Sequence, residues 1–149
     1  MTLQQSDTAI KEKPGRDEHP EGLKVPTSLL WRALSTNKMV MVPVPPDIAQ
    51  ALHEARQQLV EYYADRLKHV VLFGSYARGE THPESDVDVM VVLTGEVDHA
   101  KEVKQLMPLF MDLLNRYGRV FTLLPFPVSR FQNKQHPLMM NVREEGIEV

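Results

Sequence analysis

The chain has 149 residues, 42% hydrophobic and 25% charged, with no cysteine and a formal net charge of −3. At roughly 150 residues per domain this is a single domain with room for a real core, and the missing cysteines exclude a disulfide scaffold, a thiolate nucleophile and any Cys-ligated metal centre. The acidic balance argues against affinity built on neutralising nucleic-acid phosphates. No apolar run approaches the ~18 residues that span a bilayer, and Met1–Ile10 lacks the apolar stretch of a secretory signal, so a cytoplasmic protein without a membrane partner is expected.

Residues 1–45 read as an N-terminal extension and 46–149 as the domain. Residues 1–26 mix charges with Pro14, Pro20 and Pro26; they offer too little apolar surface to offset the entropy of ordering them, so a mobile tail is expected. Thr27 or Ser28 would cap one or two helical turns through Leu34, with Leu30, Trp31 and Leu34 as the apolar face. That face suits either a flap on the domain or a docking element for a partner. Met39–Val44 reads as a short strand.

From Pro46-Asp47 the apolar positions Ile48, Leu52, Ala55, Leu59, Tyr62 and Tyr63 recur at helical spacing. Val70–Phe73 is a short apolar run stopped by Gly74, and Val87–Leu93 is a second one ended by Thr94-Gly95; both read as strands. Val103, Leu106, Met107, Phe110, Leu113, Leu114 and Tyr117 form another helical stripe, in which Pro108 predicts a kink or a delayed start. Arg119–Leu124 reads as a third strand broken by Pro125 and Pro127. A weak helix (129–135), a polar helix (138–144) and a tail from Gly146 complete the chain, with the Glu144-Glu145 pair a solvated helix end. Met39, Met41, Met107, Met111, Met139 and Met140 read as core fillers. The fold class is α/β (α+β): a small mixed sheet of three or four strands with helices packed on it.

Chemistry concentrates between Leu72 and Val92. At one end a buried strand stops at Gly74-Ser75 and a short helix follows. Gly74 lets backbone approach a ligand, and Ser75 adds a hydroxyl beside free helix N–H groups, a geometry suited to phosphate; taken alone, Gly-Ser after a strand is only a turn. At the other end Asp86 and Asp88 fall on one face of a strand, ~6.6 Å apart along it, while Val87 and Val89 point inward. Two adjacent carboxylates repel, and a divalent cation such as Mg²⁺ removes that cost; a solvated strand entrance is the alternative. The combination of Gly-Ser, ten residues and Asp-x-Asp, each half at a strand edge, is rare by chance. Arg78 and His82 lie in the loop between, in reach of a phosphate or idle in solvent. The other histidines show no shared ligand spacing.

The stretch resembles the nucleotidyltransferase superfamily of DNA polymerase β, and is most similar to its minimal nucleotidyltransferase members. Gly74, Ser75, Asp86 and Asp88 stand in register, with Tyr76-Ala77-Arg78-Gly79 between them, and the similarity extends over 47–149. The resemblance implies ATP or another NTP as donor and two Mg²⁺ ions on Asp86 and Asp88. It further implies Gly74, Ser75 and Arg78 at the nucleotide, and transfer of a nucleoside monophosphate to a hydroxyl with loss of pyrophosphate. It also implies the role of an antitoxin paired with a HEPN-type RNase toxin. In-line displacement needs a metal clamp more than a nucleophilic side chain, which agrees with a chain lacking Cys and a Ser-His-Asp set.

One departure accompanies the match. The family pattern carries a third acid on a later strand, and Arg119–Pro125 has none. Asp112 lies on the preceding helix stripe, and Thr122 brings no charge. Two readings therefore stand: an active transferase acting on a docked partner protein, and a catalytically weak member that neutralises its partner by occlusion. A small-molecule transferase is disfavoured by the missing second domain. Polymerisation is disfavoured by 11 Lys/Arg against 15 Asp/Glu in 46–149. Self-association stays open.

Overall fold

The computed structural model describes residues 29–32, 40–133 and 135–149. The expected mobile tail over 1–26 and the cap at Thr27 or Ser28 lie outside the described residues. Leu29–Arg32, expected as helix, is instead strand β1, and it pairs antiparallel with β2 (Val40–Pro43), Leu30 opposite Val42 and Trp31 opposite Met41. One or two isolated helical turns fix much backbone for few hydrogen bonds. Pairing with Val40–Pro43 instead satisfies those groups between strands, where the β-branched Val40 and Val42 are favoured.

Helix α1 (Pro46–Tyr63) opens with proline at its first position, where the missing N–H costs nothing. A 3-10 turn (Ala64–Arg66) leads into β3 (Leu67–Phe73), followed by the one-turn α2 (Ser75–Arg78), β4 (Val87–Leu93), α3 (His99–Tyr117) and β5 (Phe121–Pro127). Then come α4 (Val128–Phe131), α5 (Pro137–Glu145) and β6 (Ile147–Glu148). The main sheet has the order β5-β4-β3-β6; β3 runs antiparallel to β4 and β6, and β4 parallel to β5. A parallel neighbour requires a crossover, and α3 supplies it. The segment from Gly146, expected as a tail, is thus an edge strand: Ile147, fully buried, sits opposite Leu72.

Strand alternation gives the sheet two covered faces. Val70, Leu72, Val87, Val89, Val91, Leu93 and Phe121 face α1 and α3. Val71, Met90 and Val92, with Phe73, Leu124 and Phe126 beside them, meet α4 and α5 through Phe131, Met139 and Val142. The inward orientation expected for Val87 and Val89 is therefore observed.

Several expectations change. Strand β5 continues through Pro125 and Pro127 instead of breaking at them. The Val87 N–H donates to the Val120 carbonyl at 2.9 Å, so the backbone groups of Thr122, Leu124 and Phe126 face β4 and those of Pro125 and Pro127 face away. Proline on that free edge removes no ladder hydrogen bond. Helix α3 begins at His99, capped by the Asp98 carboxylate, and runs through Pro108. Pro108 and Lys104 are both exposed, so the carbonyl that proline leaves unpaired is on the solvent side of the helix. The buried stripe is Glu102, Leu106, Leu109 and Leu113, rotated from the one expected: Met107 is exposed. So are Tyr62, Met111 and Met140; of the methionines named as core fillers whose side chains are described, only Met139 is buried.

Candidate active site

The two halves of the motif meet across β3 and β4. Strand β3 ends at Phe73, and Gly74 takes φ 73° and ψ −152°, a region open essentially to glycine alone. The chain then makes the single turn of α2, closed by Gly79 in the left-handed conformation. The register puts Phe73 opposite Asp88, so the Asp88 carboxylate lies against the backbone of Gly74. A Cβ at Gly74 would stand 2.4 Å from Asp88 Oδ2. Glycine is required here for both conformation and room.

The connecting loop is held at several points. The Ser85 hydroxyl accepts from the His82 N–H at 2.8 Å, the Ser85 N–H donates to the His82 carbonyl, and Arg119 donates to the Pro83 carbonyl. These contacts deliver Asp86, exposed and one residue ahead of β4, and Asp88, half-buried within it. Asp88 shares its sheet face with Met90 and Val92, whose end of that face is covered. Burial, and then the Asp86 charge, push the Asp88 pKa upward, while the Arg78 guanidinium draws it back. A cation at this point would relieve both upward effects.

On the far side of Asp88, the parallel register places Thr122 directly beside it on the same face, exposed. Asp112 is drawn elsewhere: Arg116 bridges it at 2.8 Å and Glu54 of α1 at 2.7 Å, which ties it to the α1–α3 seam. Among the described residues no three His, Asp or Glu side chains are grouped to hold a metal. The donor set therefore fits one hard cation with oxygens from a bound phosphate chain, and falls short of a second fully ligated ion.

Arg78 points back from α2 and pairs with Glu80 at 3.1 Å and Glu145 at 3.3 Å. Glu145, expected as a solvated helix end, thus links α5 to the motif turn. Nothing in its local sequence distinguishes it from Glu144; the link exists because α5 packs beside β3. A second polar cluster also escaped sequence reading. The buried Glu102 accepts from Tyr63 Oη at 2.9 Å and from Arg66 at 3.0 Å, and Arg66 also reaches the carbonyls of Thr94 and Glu96. Beside it a cleft of about 870 Å³ opens between the loop after β4 and the end of β5, lined by Arg66, Asp98, Lys101, Phe126 and Arg130 among others. The cleft lies at the other end of the sheet, and neither Asp86 nor Asp88 lines it.

The chain matches the nucleotidyltransferase domain family over residues 52–136. A Methanocaldococcus jannaschii protein, provisionally named a protein adenylyltransferase, is 30% identical over 103 residues, covering 69% of this chain and 99% of the relative. Another from the same organism, named likewise, is 36% identical over 98 residues, covering 65% of this chain and 92% of that one. Among solved structures, a toxin–antitoxin crystallised with AMP-PNP is similar at a TM-score of 0.47 and 21% identity, covering 64% of this chain and 69% of that chain. Gly74, Ser75, Asp86 and Asp88 all fall inside the matched stretch. With a relative covered almost end to end, the chain belongs to the nucleotidyltransferase domain family and is a nucleotidyltransferase.

Proposed function

We propose that residues 46–149 transfer AMP from ATP, in a metal-dependent reaction, to a hydroxyl of a partner protein, and that the chain serves as the antitoxin of a HEPN-type toxin. The observation that carries the reading is the packing of the Asp88 carboxylate against the Gly74 backbone, which joins the Gly-Ser turn to the acidic pair. The names of the M. jannaschii relatives support adenylyl transfer to protein. The toxin partner rests on the resemblance of the motif to minimal nucleotidyltransferases.

In this reading the Gly74 backbone, bare of a Cβ, admits the outer phosphates close to the turn and Ser75 adds its hydroxyl. Arg78 exchanges its carboxylate partners for phosphate oxygens. Asp86 and Asp88 would hold Mg²⁺, which supplies charge neutralisation at the reacting phosphate. The acceptor oxygen bonds to the α-phosphorus as the bond from that phosphorus to the bridging oxygen breaks. Pyrophosphate leaves, and the hydroxyl proton passes to solvent. The acidic pair stands at an open sheet end, which suits an acceptor presented by a second protein.

Thr122 beside Asp88 favours a second reading, a weakly catalytic protein that silences its partner by occlusion. Incubation with α-labelled ATP, Mg²⁺ and the product of the neighbouring open reading frame separates the two. Label on the partner that vanishes with Asp86→Ala or Asp88→Ala supports transfer. Binding and silencing without label supports occlusion.

A further inference from the structure

Phe73, Asp88 and Thr122 form one row across β3, β4 and β5. On the β5 side the position level with Asp88 is 122. The residue there is a neutral alcohol. Glu80 and Glu145 stand by Arg78, on the β3 side of Asp88, and Asp112 is paired with Arg116 at the α1–α3 seam. Two divalent ions held side by side repel each other and need carboxylates on both sides to offset that repulsion. The row offers carboxylates on one side only.

We infer that this chain binds one divalent cation with its nucleotide, at Asp86 and Asp88, and that Thr122 occupies the position at which a carboxylate would create a second metal site. The inference rests on the nucleotidyltransferase reading of the acidic pair and adds the number of ions and the residue that limits it. Thr122 is exposed, so a carboxylate there needs no burial. An Asp differs from Thr by little volume, and β5 tolerates the change because the neighbouring apolar positions Phe121 and Leu123 lie on the other face.

The test counts Mn²⁺ bound by the full chain saturated with α,β-methylene ATP, by equilibrium dialysis and electron paramagnetic resonance. The expected result is one Mn²⁺ per wild-type chain and one for Thr122→Asn. For Thr122→Asp the expected count is two, with a spectrum broadened by coupling between neighbouring ions. Two ions on the wild type overturn the inference, as does a folded Thr122→Asp variant that still binds one. Folding is checked by near-ultraviolet circular dichroism, and if Thr122→Asp does not fold, Thr122→Glu takes its place beside the wild-type count. Failure of the nucleotide itself to bind at any Mn²⁺ concentration overturns the underlying reading as well, and nucleotide retention measured in the same dialysis tells that outcome apart.

Discussion

Gly74 and Asp88 are fourteen positions apart, and each constrains the other. The positive φ at Gly74 and the 2.4 Å approach of a would-be Cβ to Asp88 Oδ2 act together. Gly74→Ala is therefore expected to lower stability by roughly 1–3 kcal/mol, the cost of a strained backbone, and to abolish nucleotide binding; a thermal melt and a titration with ATP analogue check both. Asp88 is held in a place that disfavours its charge, by burial first and then by Asp86. A carboxyl whose folded pKa is raised gains stability as pH falls toward that pKa, so ionised Asp88 destabilises the fold at neutral pH. Asp88→Asn should accordingly raise the melting temperature at pH 7, by roughly 2 °C once solvent screening is allowed for, while eliminating transfer. A lower melting temperature for this variant would show that burial and the Asp86 charge do not penalise the Asp88 carboxylate. Both residues were legible as site candidates from their spacing; their contact was not, because it depends on the β3–β4 register.

At the scale of elements, α1 and α3 are joined by apolar stripes and by one buried acid. Glu102 sits in the first turn of α3, where a carboxylate suits the helix dipole. It is also buried, and Tyr63 and Arg66 supply the donors it needs. Burial, followed by the Glu102 hydrogen bond, raises the Tyr63 pKa well above the ordinary phenol range. The contribution of the neutral phenol is thus fully present below about pH 10 and is lost as pH climbs toward the raised value. Tyr63→Phe should cost about 1.5–3 kcal/mol, as expected for removing a hydrogen bond to a buried charge, and the deficit should shrink in melts taken above pH 10. Helical periodicity revealed both helices but misplaced the face of α3 by about one residue. Met107 and Leu109 are comparably apolar, and only the sheet beneath selects between them.

For the whole molecule, the last residues close the sheet that holds the site. β6 covers the edge of β3 opposite β4, with Ile147 opposite Leu72 and the Val149 N–H donating to the Val70 carbonyl at 2.9 Å. Removing residues 146–149 exposes that edge and takes a fully buried Ile from the core. A loss of about 2–5 kcal/mol is expected, together with concentration-dependent association through the bared strand, read by denaturant melts and sedimentation. Pro125 and Pro127 protect the opposite edge, so the intact sheet has both sides managed. Among the described residues no helix is long and apolar enough to cross a membrane. The excess of acid over base in 46–149 is concentrated in part at Asp86 and Asp88, where a cation would neutralise it.

The sequence alone determined the α/β class and the main helices and central strands, and it singled out the residues proposed to carry the chemistry. Those signals are local: a periodicity, a β-branched run, a Gly-Ser stop, two acids one residue apart. The strand identity of Leu29–Arg32, the edge role of Ile147–Glu148 and the passage of β5 through its prolines were decided by strand pairing, with Val40–Pro43 for the first and with β3 and β4 for the other two. So were the contact of Gly74 with Asp88, the reach of Glu145 to Arg78 and the seat of Thr122 beside Asp88. Register is a long-range property, and a shift of one residue would turn Asp88 and Thr122 to the opposite face.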